Sequence, residues 1–568
     1  MHAGKVILTA KAWDMNVAAK DGNAWLAELK ARAAKLDTVV NKLDKMNKVL
    51  AERGYEVAYL KSAQSALQLY LKMLPYDIKQ RNYYRASKKL KELENIADLA
   101  MSEAGSPDRW AGQWRKVPAT VLPDKSPTIF KDGAVWHHGR PIFLHGMMGP
   151  IEFETAAISG LGFNNVSMGH GMNACIGENK DDIRLAGKKH MIFKNRLKKS
   201  LANNLYIGHI IPTLHYVPGW VRVDPVLSKG RGHFLPFAIE LPETLELVDA
   251  YYKAFFPTLK KIPRLLSLCL LNEPEYEAQS PESIEMFRKW LKRKYGSISH
   301  LNQAWKSNYP GFEKISCTEN SASGGARCDW LLFNRSILNN FVKNINELAK
   351  KNDPLKRPTH IKCMSQLFNN YEHEINGGID RETIYGITDI TGYDGAFDPM
   401  FLDLIRSFNP DKAIYNTEAS FDFTDKDKLT KQAWIGAVHG VNAYSVWLWD
   451  PPWSGWGKMP NYPLQQPAGM FALAKSSLDL QRLSRQVYHI TREKAEVAIL
   501  YSFASRALDY KNYVNNLKQT YEALYSSGIP ISFISEKQLM KDIPANLKVI
   551  VVPQVRYVSK NTFASLAK

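Results

Sequence analysis

The sequence predicts an α/β protein: a (β/α)8 TIM barrel preceded by an all-α region and followed by a shorter α/β segment. Three observations carry that expectation. Eight short apolar runs alternate with helix-length segments between residues 141 and 449, the order that builds a parallel sheet. No Gly-rich phosphate loop follows the first run, as a doubly wound sheet would usually show. Two of the runs end in a glutamate, where an α/β barrel keeps its chemistry.

In residues 23–103, Trp25, Leu29, Ala33, Leu36, Val39, Leu43, Met46 and Leu50 recur at three- and four-residue steps, an apolar stripe along one helix face. Gly54 breaks it. A second stripe (Val57, Leu60, Ala63, Leu67, Tyr70, Leu74) is expected to end at Pro75. A third uses Tyr83, Ala86, Leu90, Leu93, Ala97 and Ala100. These stripes predict a helical hairpin or bundle within residues 1–110, with the apolar faces as core. Pro118, Pro123 and Pro127 then mark a linker over 111–128.

The barrel domain is expected over 129–490, opening on a hairpin with turn signals at Asp132-Gly133 and His138-Gly139. Its strands are predicted at 141–146, 163–168, 206–213, 264–272, 359–364, 386–393, 413–418 and 442–449. The fourth, bounded by Pro263 and Pro274, is apolar almost throughout, as a buried parallel strand should be. Beyond it all, Val497–Tyr501, a helix at 511–527, Ser532–Ile534 and Val549–Val552 form a further βαβ pattern over 495–568. That pattern is shorter than a full doubly wound domain: either the domain is small or, as is expected here, the natural chain extends past this sequence, at one end or both.

A chain of 568 residues with 45% hydrophobic and 11% aromatic content is long enough for several domains and too apolar for disorder. Its 14 Trp and 26 Tyr offer flat rings that suit sugar faces and nucleic-acid bases equally. The net charge of +19 would attract polyanions. However, Lys88-Lys89, Lys188-Lys189 and Lys198-Lys199 read as solvated helix faces, and no zinc-finger, RNA-recognition or helix-turn-helix signature accompanies them. Nucleic acid is therefore not an expected partner.

Five cysteines without CxxC spacing suggest neither a zinc site nor a disulfide framework, although Cys317 and Cys328 are close enough in sequence to pair. No run approaches the ~18 apolar residues of a membrane span. Met1-His2-Ala3-Gly4-Lys5 lacks the apolar core of a signal peptide, so a cytoplasmic location is expected if Met1 is the true start.

Asn272-Glu273-Pro274 closes the fourth strand, and Ala413-Ile414-Tyr415-Asn416-Thr417-Glu418 closes the seventh. The interval, 418 − 273 = 145 residues, spans three βα units and puts both carboxylates on one barrel rim. Cleavage of a glycosidic bond needs two such groups, ~5–5.5 Å apart when configuration is retained. One serves as acid and then base, the other as nucleophile, and an Asn beside the acid can orient a substrate hydroxyl. A metal site is the alternative for two strand-end glutamates. No His or Asp joins them at ligand-like spacing in the sequence, so neither metal nor cofactor is expected.

From about residue 128 onward the sequence resembles the family 42 glycoside hydrolases, β-galactosidases of the large retaining clan. The residues that carry the resemblance are Leu271-Asn272-Glu273-Pro274, Phe287–Gly296 and Ser297–Trp305. The resemblance implies Glu273 as acid/base, Glu418 as nucleophile, and an oligosaccharide or β-glycoside substrate. It also implies that the tail from Val497 begins a flavodoxin-like trimerisation domain, and hence a homotrimer where that domain is complete. Three departures stand out. The family's galactose-holding ExxH stretch does not follow Trp447–Trp456, the Trp expected shortly after the nucleophile is missing from Ser420–Asp425, and the cysteine-rich metal cluster is absent. Besides a β-galactosidase, the scaffold would suit a β-mannosidase, a β-glucosidase, an agar-oligosaccharide hydrolase or a non-catalytic carbohydrate-binding protein.

Three further groups of residues are candidates for substrate contact. Trp447 and Trp449 alternate along the eighth strand and should face the same side, one of them flooring a sugar subsite. Tyr393, closing the sixth strand, is placed to donate a hydrogen bond to the nucleophile or else to pack in the core. His215 and Trp220 follow the third strand on the catalytic rim. His145 ends the first strand, where a buried, satisfied histidine is expected.

Overall fold

The computed structural model describes residues 22–109, 116–117, 129–149, 153–229, 232–262, 264–316, 324–368, 375–541 and 543–567. The predicted linker lies outside these residues except for Lys116 and Val117, and so do Pro263 and Cys317. Cys328 is a free thiol.

Eight parallel strands close the barrel: β1 (Leu144–Met148), β2 (Asn165–Gly169), β3 (Tyr206–Ile211), β4 (Leu265–Asn272), β5 (Thr359–Met364), β6 (Thr391–Gly395), β7 (Ile414–Ala419) and β8 (Val441–Trp447). Each pairs with its sequence neighbours, and β8 pairs with β1 to complete the ring. All eight predicted strands are present. The first begins later than expected, because Arg140–Ile142 belongs to a three-stranded antiparallel sheet with Ile129–Lys131 and Ala134–His137. Its two tight turns are those signalled in sequence, with positive φ at Asp132, Gly133, His138 and Gly139.

The barrel interior beneath the catalytic rim is polar. Ser167 Oγ lies 3.0 Å from His209 Nδ1, 3.1 Å from the Tyr415 hydroxyl and 2.6 Å from Ser445 Oγ. Ser267 Oγ meets His360 Nε2 at 3.2 Å. Gly208 makes room for this network, since a Cβ there would stand 2.2 Å from the Tyr415 hydroxyl. Burial pushes the His360 imidazole down to about 3, so it is neutral at ordinary pH. The layer below the site is thus hydrogen-bonded without adding charge.

The amino-terminal region is a three-helix unit: α1 (Gly22–Glu52), α2 (Ala58–Lys79) and α3 (Tyr83–Gly105). Pro75 does not end α2, which runs through it for another turn. The unit packs on the long helix after β8, α4 (Pro467–Arg482), and on the loop before it. The Tyr59 hydroxyl donates to Asp479 Oδ1 at 2.7 Å, and the Tyr70 hydroxyl to the Pro463 carbonyl at 2.5 Å. Buried Asp77 is neutralised by Lys89 Nζ at 2.9 Å and by Arg85, and Lys89 also reaches Gln465 Oε1 at 3.0 Å. A buried carboxylate with two cationic partners is how such a charge is kept from destabilising a helical core.

The carboxyl-terminal segment holds β9 (Val497–Tyr501), β10 (Ile531–Ser535) and β11 (Val549–Val551), parallel in the order β10-β9-β11. This is the first part of the 2-1-3-4-5 order of flavodoxin-like sheets. It is tied to the barrel through buried Asp403, which accepts from the Tyr521 hydroxyl at 2.6 Å and pairs with His439 Nδ1 at 2.9 Å. No helix among the described residues is long and apolar enough to cross a membrane.

Candidate active site

Glu273 stands immediately after β4 and Glu418 is the penultimate residue of β7, on the rim where an α/β barrel places its chemistry. Glu273 holds φ +43, a left-handed conformation that costs a non-glycine residue energy and collects at functional sites. Its amide donates to the Lys362 carbonyl at 2.8 Å. The β7 end is fixed from below: Asn416 Nδ2 donates to the Tyr393 hydroxyl and to the Gly395 carbonyl, both at 3.0 Å, and the Thr417 hydroxyl donates to the Tyr393 carbonyl at 2.9 Å. Register shifts between β4 and β5 and between β6 and β7 fall at this level, where such irregularities re-aim side chains.

Two residues not singled out in the sequence complete the cluster. Asp394, on β6, is the register partner of Glu418. Its carboxylate and those of Glu273 and Glu418 offer one oxygen each, all within 4.8 Å of one another. Lys362 rises from β5 with its side chain 1% exposed. Its Nζ lies 3.0 Å from Glu273 Oε1, 3.5 Å from Asp394 Oδ2 and 2.8 Å from Asn272 Oδ1, and it also contacts Glu418 Oε2.

The expectation that no acidic group joins the two glutamates is therefore corrected: Asp394 does. Three such carboxylates could ligate a cation, but here the Lys362 ammonium serves as the counter-charge between them.

The charges explain how the cluster titrates. Burial works against the Lys362 cation, but Glu418, Asp394 and Glu273 outweigh it and hold the ammonium protonated above its ordinary range. Burial pushes the Asp394 carboxyl well up, and the Glu273 and Glu418 charges add to the rise against the pull of Lys362. Burial also raises Glu273, but Lys362 and a hydrogen bond from Asp394 bring it below its usual value. Glu418 is raised by burial against the pull of Lys362. With one ammonium among three carboxylates, burial and mutual repulsion favour a proton on the cluster, and most strongly on Asp394.

Residues 236–396 match the family model described as β-galactosidase, glycoside hydrolase family 42, a stretch that holds Asn272, Glu273, Lys362 and Asp394. That stretch of the chain is similar to the family 42 glycoside hydrolases. Among solved structures, an exo-carrageenase of this family from Bacteroides ovatus superimposes with a TM-score of 0.80 at 21% identity, over 94% of this chain and 80% of that one. A β-galactosidase from Rahnella sp. R3 gives 0.59 at 17% identity, over 75% and 69%. One from Bacillus circulans sp. alkalophilus gives 0.59 at 16%, over 76% and 70%. At these identities the likeness establishes the shared fold. No curated protein sequence matches.

The other predicted site residues divide. Asn272 belongs to the cluster through its bond from Lys362. Trp447 packs against Met148, Ile211 and Cys269, at the mouth of the barrel. Trp449 does not share that face, because β8 ends at Trp447 and its alternation stops there. Its indole is fully buried and donates to the Phe153 carbonyl at 2.7 Å, so it is a structural residue. Tyr393 is likewise buried, edge-on to Phe401, with its hydroxyl taken by Asn416. The expected hydrogen bond from Tyr393 to Glu418 is not the one formed.

His215 lies near the cluster, with its ring 4.6 Å from that of Phe234. Burial, helped by Lys362 and opposed by Glu273, brings it down to about 4. Trp220 packs half-buried on the hydrophobic core from the short helix Gly219–Val223. His145 is buried against Tyr444, ring to ring at 4.1 Å, and burial alone takes it down to about 3. The loop after β8 is held by buried Asp450, which accepts from Ser454 Oγ at 2.9 Å and from the Gly457 amide at 3.0 Å.

Proposed function

We propose that this enzyme is a retaining β-glycosidase of the β-galactosidase type that works by double displacement. The carrying observation is the closeness of Glu273 and Glu418, whose oxygens approach within 4.8 Å. That spacing suits retention, whereas an inverting pair stands ~6.5–9.5 Å apart to admit a water. Glu418 attacks the anomeric carbon and forms a glycosyl ester while Glu273 protonates the departing oxygen. Glu273 then takes a proton from the incoming water, which displaces Glu418. Lys362 keeps Glu418 ionised in a site where burial favours the neutral acid, and Trp447 offers an apolar face to the sugar ring.

Glu418→Gly should abolish hydrolysis and regain turnover with azide, giving a glycosyl azide of inverted configuration. Rescue at a different carboxylate would refute the assignment. The cluster also bears on the sugar. Its three carboxylates outnumber its one ammonium, so the ring bound there should be neutral, and nitrophenyl β-galactoside should be cleaved where the β-glucuronide is not.

A second reading concerns the rest of the substrate. The net charge of +19 and the likeness to an exo-carrageenase favour a fragment of an anionic galactan, with its charged groups outside the cluster. Comparing neutral and sulfated galacto-oligosaccharides at rising salt would test it: activity on the sulfated one alone should fall.

A further inference from the structure

Glu273 meets two demands in the double displacement that its surroundings do not obviously reconcile. It must carry a proton when the glycosidic bond breaks, yet Lys362 Nζ at 3.0 Å favours its ionised form. The structure supplies a second carboxyl beside it. Asp394 and Glu273 bring carboxylate oxygens within 4.8 Å of each other, and Asp394 stands in register with Glu418 on the other side. Like charges ~5 Å apart in a partly buried site repel by about 3 kcal/mol at an effective dielectric of ~20. One ammonium cannot neutralise three such groups. The pair therefore holds one proton between its two carboxyls, as close carboxylate dyads do.

We propose that Glu273 and Asp394 act as one proton-carrying pair, with Asp394 the positioning partner that holds the proton for Glu273 and delivers it there. The proposal rests on the assignment of Glu273 as acid/base. In the first step the pair's single proton, moved onto Glu273, passes to the aglycone oxygen as the C–O bond breaks and the Glu418 ester forms. Both members of the pair are then anionic, while Glu418 has lost its charge to the ester and Lys362 remains a cation. In the second step water gives one proton to the pair, its oxygen bonds to the anomeric carbon, and Glu418 leaves as carboxylate. The proton count closes over the cycle. The titratable and charged groups facing the pair are Lys362 on β5, Glu418 on β7, and His233 and His215 from the loops above β3, of which His233 Nδ1 lies 3.3 Å from the Glu273 carbonyl.

The pair retains its proton to higher pH than Glu273 would alone, because losing it creates two adjacent anions. Asp394→Asn keeps the shape and removes one of those anions. The basic limb of the kcat/KM–pH profile should then move down by about one unit or more. At neutral pH, hydrolysis of β-galactosides with alkyl leaving groups should fall at least tenfold, while dinitrophenyl galactoside, which needs no acid, should change less than about threefold. A structural role alone would depress both substrates together and leave the limb in place, and either result overturns the proposal. Glu273→Gln serves as the reference. If it too loses both substrates equally, the assignment of Glu273 as acid has failed. If it shows the leaving-group split and Asp394→Asn does not, only the pairing has failed. Asp394→Glu, which restores a carboxyl, should recover part of the basic limb.

Discussion

Lys362 Nζ stands 3.0 Å from Glu273 Oε1 and touches Glu418, so one buried ammonium joins the two carboxylates to which the proposed double displacement gives different roles. The side chain is 1% exposed, and a charge so placed is stable only because its partners are charged as well. The catalytic rim is thus an ion cluster in which every member sets the protonation of the others.

Replacing Lys362 by Met should cost more than one hydrogen bond. Removing a buried partner leaves uncompensated charge, typically about 3–5 kcal/mol. Part of that should appear as protonation instead. Lys362 lowers Glu418, so its loss raises Glu418 further above its ordinary value. The nucleophile is then active only at higher pH, and the acidic limb of kcat/KM should move up by about one unit or more. A pH–rate profile of the variant reads this directly. An unmoved acidic limb would mean that Lys362 does not govern the nucleophile.

The two tryptophans should separate cleanly. Trp447→Ala removes a ring from the barrel mouth, where it packs on Met148, Ile211 and Cys269, and should lower kcat/KM by about tenfold or more with little change in Tm. Trp449→Phe removes the donor to the Phe153 carbonyl and leaves that buried acceptor unmet, a loss of about 1–3 kcal/mol. Its kinetics should stay near those of the parent. Steady-state kinetics beside a thermal melt would tell the two apart, and the reverse pattern would exchange their roles.

Acid should unfold the barrel through its buried histidines. His145 and His360 are each brought down to about 3 by burial, from an unfolded value near 6.5. Between those values the unfolded chain binds protons that the folded chain refuses. Stability is therefore full above about pH 6.5 and falls as pH drops toward 3, by about 1.4 kcal/mol per unit for each histidine. Urea unfolding at a series of pH values should show this slope, and His145→Gln should reduce it by one proton's worth. An unchanged slope would show that His145 takes up its proton in the folded state.

The barrel was legible because its strands are short apolar runs set between helices, a pattern that survives without any tertiary information. Glu273 and Glu418 were legible for the same reason, since each closes such a run. Lys362 and Asp394 were not, because each matters through a neighbour distant in sequence. Even so, the run His360-Ile361-Lys362-Cys363-Met364 carried a signal, since a lysine inside a buried strand must find a buried counter-charge. The departures have physical causes as well. Trp449 leaves the expected common face because β8 ends at Trp447, and of the two roles open to Tyr393 the structure shows core packing, with Asn416 Nδ2 donating to its hydroxyl. Pro75 was read as a helix end, but α2 continues through it, packed on α3 and α4.

The most direct test of the mechanism is to trap its intermediate. Incubation with dinitrophenyl 2-deoxy-2-fluoro-β-galactoside, digestion and peptide mass spectrometry should find the fluorosugar on the peptide that contains Glu418. Label on Asp394 or Glu273, or inactivation with no labelled peptide at Glu418, would contradict the account.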